Sequence, residues 1–290
     1  MRECPDLLPD GWYQPPPTGA SVLIGSPPTY ARVEYESLRD PHTWPRADIR
    51  LRDDSLVYAY ASPTDRATGM IGDIGVTLYH GPDHRIRQHV ATCLELTVRI
   101  AALAEVGMEL RELYHQAERL VKEAGLGNRT ASATDSGAPN IGHTIPWTFG
   151  DYSAEDERRL RNGDPADVSD LISRQRIFLN PSTRRRIEPT MAFTVEPRMS
   201  SPSLPLSSFH IIVAFREGRK TISSEFGRLF RIFGMEEYLP RKALEALGEP
   251  FIDDPTQTGM RGTEHVDSRG ERRKDPRRTR SQGRCSLHTP

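Results

Sequence analysis

The sequence predicts an α+β domain, and three observations carry that prediction. Two consecutive segments show the 3.6-residue apolar period of amphipathic helices. Short β-rich runs bounded by turn residues flank that helix pair on both sides. No apolar run is long enough to span a bilayer.

Residues 1–18 are proline-rich, ending in Gln14-Pro15-Pro16-Pro17, and read as an extended arm. Ala20 to Gly25 is a strand, stopped by Ser26-Pro27-Pro28. Asp53-Asp54 forms a turn into a buried strand ending near Ala61, a loop over residues 62–69 follows, and Met70 to Tyr79 returns as the partner strand. From about Arg85 to Ala104, Ile86, Val90, Cys93, Leu94, Thr97, Ile100 and Ala101 fall on one helical face. Val106-Gly107 ends that helix. A second runs from about Glu109 to Ala124, with Gly125 as its stop. Residues 127–140 form a polar loop. A short helix is expected near Ala154 to Arg161, an edge strand at Ile177-Phe178-Leu179, and two final strands at Met191 to Val195 and Phe209 to Phe215. A hairpin turn at Glu217 to Lys220 and helices over Ser224 to Phe233 and Arg241 to Leu247 complete the order. The domain therefore spans 19–250, between the arm and a tail over 251–290.

Charge excludes several function classes. The chain has 290 residues, 27% of them charged, with a net charge of -1 and a pI of about 6.8, which argues against a specific nucleic-acid or membrane-surface binder. The tail departs from that balance. From Arg261 onward nine Lys/Arg stand against four Asp/Glu, leaving 30 basic and 36 acidic residues before it. A solvated extension is the simplest reading of such a stretch. The three cysteines, Cys4, Cys93 and Cys285, are scattered and odd in number. That is neither a disulfide framework nor a cysteine metal cluster, and together with the absence of a signal-like start it fits a cytoplasmic location.

Four side chains are candidates for chemistry. Asp73 stands near the start of Ile71-Gly72-Asp73-Ile74-Gly75-Val76-Thr77-Leu78-Tyr79-His80-Gly81; the alternative is an acid that merely ends a hairpin. His143 lies in Ile141-Gly142-His143-Thr144-Ile145-Pro146, where a packed loop histidine is the alternative. Glu196 follows the apolar strand Met191 to Val195, where a carboxylate needs a partner to offset its desolvation. His210 interrupts another apolar strand, and a hydrogen-bonded sheet histidine explains it as well as a ligand does.

In order and spacing, these pieces resemble the pita-bread metallopeptidases, the family of methionine aminopeptidase, proline aminopeptidase, prolidase and creatinase. The resemblance covers roughly Ala20 to Ser223, and its most specific parts are Gly72-Asp73-Ile74-Gly75-Val76-Thr77, Gly142-His143 and Phe193-Thr194-Val195-Glu196-Pro197. It implies a pita-bread fold, with a curved antiparallel sheet covered by helices. It also implies five side chains around two divalent ions: two Asp, one His and two Glu. Asp73, His143 and Glu196 match the second Asp, the His and the first Glu.

The other positions depart from the pattern. The first Asp falls on Tyr60, or on Ser62 by counting back without an insertion. The last Glu falls within Ser208 to His210. No second histidine follows in Trp147 to Gly150, and Val76 replaces the usual arginine. The resemblance thus implies one ion (Mn, Zn, Co or Fe) held by Asp73, His143 and Glu196, with His210 as a fourth ligand or a proton donor in catalysis. The implied activity is hydrolysis of a short peptide or small amide by a metal-activated water, with a homodimer allowed. A catalytically inactive binding module of the same fold, and less readily a mononuclear iron enzyme, are the alternatives.

Overall fold

The computed structural model describes residues 7–8, 20–27, 46–65, 71–129, 139–146, 153–223 and 226–245, together with Tyr30, Val33 and His42. The arm apart from Leu7–Leu8, the tail, and the positions Trp147 to Gly150 lie outside the described residues.

Two hairpin systems and a helix pair make the architecture. In the first, β2 (Ala20–Gly25) pairs antiparallel with β3 (Ser55–Ala61), which pairs antiparallel with β5 (Ile74–His80). β1 (Leu7–Leu8) pairs with β4 (Thr64–Asp65) across the loop that joins β3 to β5. In the second system, β7 (Met191–Val195), β10 (Ile211–Arg216) and β11 (Arg219–Ser223) form an antiparallel sheet in the order β11-β10-β7. A third sheet contains β6 (Gly127–Asn128), β8 (Arg198–Ser201) and β9 (Leu204–Ser208). Isolated bridges Val76–Phe209 and Thr144–Phe193 stitch the sheets together.

The helices form where the apolar period places them. α1 (His84–Leu103) begins at Asp83, whose carboxylate accepts from Arg85 N at 2.8 Å. Its far end is finished from the second sheet: Lys220 Nζ donates to the carbonyls of Ala102 (2.6 Å) and Ala104 (2.9 Å), a cation at a helix C-terminus. α2 (Leu110–Glu123) begins with a capping box between Glu109 and Glu112. Gly125 ends it at φ +72°, the left-handed conformation that glycine adopts without steric cost. Val90, Cys93, Leu94, Ile100 and Ala101 of α1 and Leu110, Leu113, Ala117 and Val121 of α2 are at most 1% exposed. That apolar face covers the sheets, and at roughly 1.5–3 kcal/mol for each large side chain fully buried it supplies much of the driving force. No helix of the described residues is long and apolar enough to cross a membrane.

Several elements depart from the sequence reading. Ile177-Phe178-Leu179 forms no strand and carries only an isolated bridge from Phe178 to His143, and β6 stands where a loop was expected. α3 (Ala154–Asn162) was expected, but a second helix, α4 (Pro165–Gln175), follows it. Its signal is present in the chain: Asp164 caps Asp167 N at 2.9 Å and Pro165 takes the first helical position. The β8–β9 hairpin lies in Arg198 to Ser208, where Pro202 and Pro205 interrupt the alternation that marks a strand. β10 begins at Ile211, two residues later than expected, because His210 N donates instead to Gly75 O at 2.8 Å. Beyond it, α5 (Gly227–Ile232) and α6 (Arg241–Glu245) are short.

Candidate metal centre

Four backbone segments from distant parts of the chain deliver the four candidates to one place. Asp73 precedes β5, where Gly72 N donates to Pro63 O at 2.8 Å and holds the entry to the strand. Glu196 leaves the end of β7, its N–H bonded to Ile141 O at 2.8 Å. His210 sits between β9 and β10. His143 occupies the extended segment beside β7: His143 N donates to Thr194 Oγ1 at 3.0 Å, and Thr194 N returns a bond to His143 O at 2.8 Å. The preceding Gly142, at φ +140°, lies so close to β7 that an added Cβ would stand 2.2 Å from Thr194 O. Only glycine permits this approach, which is why the pair Gly142-His143 is one structural unit.

All four side chains are buried: Asp73 and Glu196 are 2% exposed, His210 3% and His143 4%. His210 Nδ1 lies 2.7 Å from Asp73 Oδ1, which takes its hydrogen bond. The same nitrogen is 2.9 Å from Glu196 Oε2, yet that oxygen lies off the N–H direction and receives no hydrogen bond. The opposite edge of the imidazole is also engaged, with Nε2 at 3.0 Å from the Tyr58 hydroxyl. On the other side of the carboxylates, His143 Nε2 is 3.3 Å from Asp73 Oδ2 and 3.7 Å from Glu196 Oε1. Its Nδ1 is 3.2 Å from Thr144 O. A carbonyl oxygen only accepts, so Nδ1 carries the hydrogen and Nε2 faces the carboxylates.

The electrostatics follow from this mutual enclosure. Burial opposes ionisation of Asp73, but the His210 charge, the His210 hydrogen bond and the neighbouring His143 ring outweigh it and hold the carboxyl below its usual range. Glu196 shifts the same way: burial and the neighbouring Asp73 charge are overcome chiefly by His210. For His210, burial favours the neutral ring, yet Glu196 and then Asp73 push it up to about 10.

The family's missing carboxylate positions are occupied by other groups. The Tyr60 ring stands edge-on to His210 at 5.7 Å, and Tyr58 stacks on Tyr60 at 6.5 Å between centroids. Ser62 and Ser208 are buried, with no hydrogen bond to either Oγ. Among the described residues, the group with metal-ligand geometry is Asp73, Glu196 and His210, whose donor atoms all lie within 4.8 Å of one another. His143 stands outside that group, although its Nε2 lies 3.3 and 3.7 Å from the same two carboxylates. Tyr58 is the residue that sequence reasoning missed. The alternation Tyr58-Ala59-Tyr60 could have found it, since positions 58 and 60 share one face of β3. His89 is also buried, but its Nε2–H donates to Pro205 O at 2.8 Å and packs α1 against β9.

The model of metallopeptidase family M24 matches residues 28–225. No curated protein sequence matches the chain. Among solved structures, prolidase from Pyrococcus furiosus is 18% identical, with 71% of this chain covering 49% of that one at a TM-score of 0.47. X-Pro aminopeptidase from Thermotoga maritima is 15% identical, with coverages of 70% and 46% and a TM-score of 0.44. Methionine aminopeptidase from Thermotoga maritima is 13% identical, with coverages of 70% and 72% and a TM-score of 0.46. The chain thus spans less than half the length of the X-Pro aminopeptidase and prolidase chains it matches.

Proposed function

The chain belongs to metallopeptidase family M24, with its pita-bread α+β fold, and we propose that it is a single-metal hydrolase acting on a short peptide or small amide. The observation that carries this reading is the orientation of His143. With Nδ1–H committed to Thr144 O, the Nε2 edge faces Asp73 Oδ2 and Glu196 Oε1 at 3.3 and 3.7 Å. With Nδ1 turned to Thr144 O, Nε2 is the nitrogen left to ligate, and a cation between it and the two carboxylates would neutralise them. Asp73, His143 and Glu196 would hold that ion, with His210 as the fourth donor. Such an ion, when bound, lowers the pKa of a water enough to make it a nucleophile near neutral pH.

The chain's own residues do the rest. Thr144 O fixes the His143 tautomer, and the Tyr58 hydroxyl orients the His210 ring from behind. His210 keeps a proton at Nδ1, on Asp73 Oδ1, until an ion takes that position. The buried walls exclude bulk water from the carboxylates. Dipeptide hydrolysis with added Mn, Co or Zn tests the reading: activity in the wild type that disappears in His143→Ala supports it. Inactivity with every ion, despite bound metal, refutes it.

A second reading is favoured by the enclosure itself. His210 Nδ1 already sits between the carboxylates at 2.7 and 2.9 Å. A groove of about 560 Å³ lined by His84, Arg85, Gln88, His89, Thr92, Ala124, Leu126 and Leu204 contains none of the four side chains. A non-catalytic module closed by an internal ion pair has these properties, and it binds no metal.

A further inference from the structure

We propose that Gly75 is a positioning residue for the candidate centre: the side chain it lacks is the slot that seats the His210 imidazole and sets Nδ1 against Asp73 and Glu196. The functional consequence rests on the reading of the cluster as a metal centre; the packing relation stands apart from it.

Gly75 is the second residue of β5, paired with Tyr60 of β3. Its carbonyl accepts from His210 N at 2.8 Å, and the next residue, Val76, bridges Phe209. The two backbones are therefore fixed side by side, and the imidazole lies over the Gly75 Cα. A Cβ at position 75 would stand 2.3 Å from His210 Cδ2, 2.5 Å from Nε2 and 2.6 Å from Cγ. All three atoms belong to a rigid ring, so no flexible end is there to move aside.

The backbone gives no other reason for glycine. Gly75 is absent from the glycines at positive φ among the described residues, so an L side chain fits its conformation. A glycine inside a strand ordinarily weakens it, through the entropy of the unfolded chain and the missing cross-strand contact. The ring accounts for its presence here. Tyr58 holds Nε2 at 3.0 Å and the Tyr60 ring stands edge-on at 5.7 Å. With those two neighbours fixed, the space above Gly75 is where the imidazole lies with Nδ1 directed at the carboxylates. His210 and Gly75 are thus a matched pair, an imidazole in one strand link and a gap in the strand beside it.

The test is a cycle of Gly75→Ala and His210→Ala, each alone and together, with thermal unfolding of the metal-free protein as the first readout. Gly75→Ala lowers Tm while His210 is present. In the His210→Ala background the same substitution leaves Tm unchanged or raises it, because the clash is gone and the strand gains a better residue. Zinc titration is the second readout, with about a tenfold or greater loss of affinity in Gly75→Ala, as for other residues that orient a ligand. The third is the His210 ring resonance in histidine-labelled protein, which shifts in Gly75→Ala. Should Gly75→Ala alone fail to fold, the double variant still reports the sign reversal. An equal Tm loss in both backgrounds, or an unmoved His210 resonance, overturns the proposal. A sign reversal in a protein that binds no zinc upholds the seating of the ring and removes the metal reading, so the two fail separately.

Discussion

Replacing His210 with alanine removes the imidazole nitrogen that, among the described residues, lies nearest to both buried carboxylates. In the metal-free protein that nitrogen lies 2.7 Å from Asp73 Oδ1 and 2.9 Å from Glu196 Oε2, and neither acid is more than 2% exposed. Deleting one partner of a buried ion pair leaves an uncompensated charge and costs about 3–5 kcal/mol, a large part of the roughly 5–15 kcal/mol by which a domain is stable. His210→Ala should therefore lose about that much in urea unfolding at pH 7. Adding Asp73→Asn should recover part of the loss, because one of the two stranded charges is then gone. The wild type has its own pH signature. His210 is raised from 6.5 to about 10, so its contribution is fully present below about pH 6.5 and is lost as pH rises toward 10. Asp73 and Glu196 are lowered, so theirs is present above the ordinary carboxylate range and is lost as pH falls through it. Metal-free stability should peak between the two, near pH 5–6.5, and decline on both sides. A His210→Ala cost below about 1 kcal/mol, or a wild-type stability that stays level from pH 7 to 10, would refute the reasoning.

Three further outcomes are expected. Zinc affinity should fall as pH is lowered from 9 to 6, by up to about tenfold per unit, because the ion must displace the His210 Nδ1 proton; isothermal titration at several pH values checks it. Tyr58→Phe removes the hydroxyl from His210 Nε2 and should weaken zinc binding by about 10–100-fold, while costing about 0.5–1.5 kcal/mol of stability in denaturant unfolding. Gly142→Ala puts a Cβ 2.2 Å from Thr194 O at φ +140°; it should cost more than about 1 kcal/mol and shift the His143 ring resonance, since the two residues share one tight segment against β7.

Much of the fold was legible because its signals are local. The apolar faces of α1 and α2, the Gly125 stop and the strand ends are written in residue type and period. What escaped was set by neighbours far along the chain. Phe209 and His210 read as the start of a strand, but Gly75 and Val76 draw them to the other sheet. The β8–β9 hairpin hides behind two prolines, and α4 behind a polar surface whose Asp164-Pro165 start was overlooked. At the candidate site the residue types pointed to Asp73, His143 and Glu196 through their likeness to a family pattern. The sheet-histidine and ligand readings of His210 could not be separated from sequence. Its contact with both acids depends on a glycine 135 positions earlier and on a tyrosine hydroxyl, and no spacing rule links those three.

The most direct test of the central claim, that these four side chains form a centre for a single ion, is elemental analysis of protein purified under metal-replete conditions. The wild type is measured beside His143→Ala and Glu196→Ala, with each variant's folding checked by circular dichroism. The account predicts close to one transition-metal ion per wild-type chain and almost none in either folded variant. Two ions per chain, or none in the wild type, would contradict it.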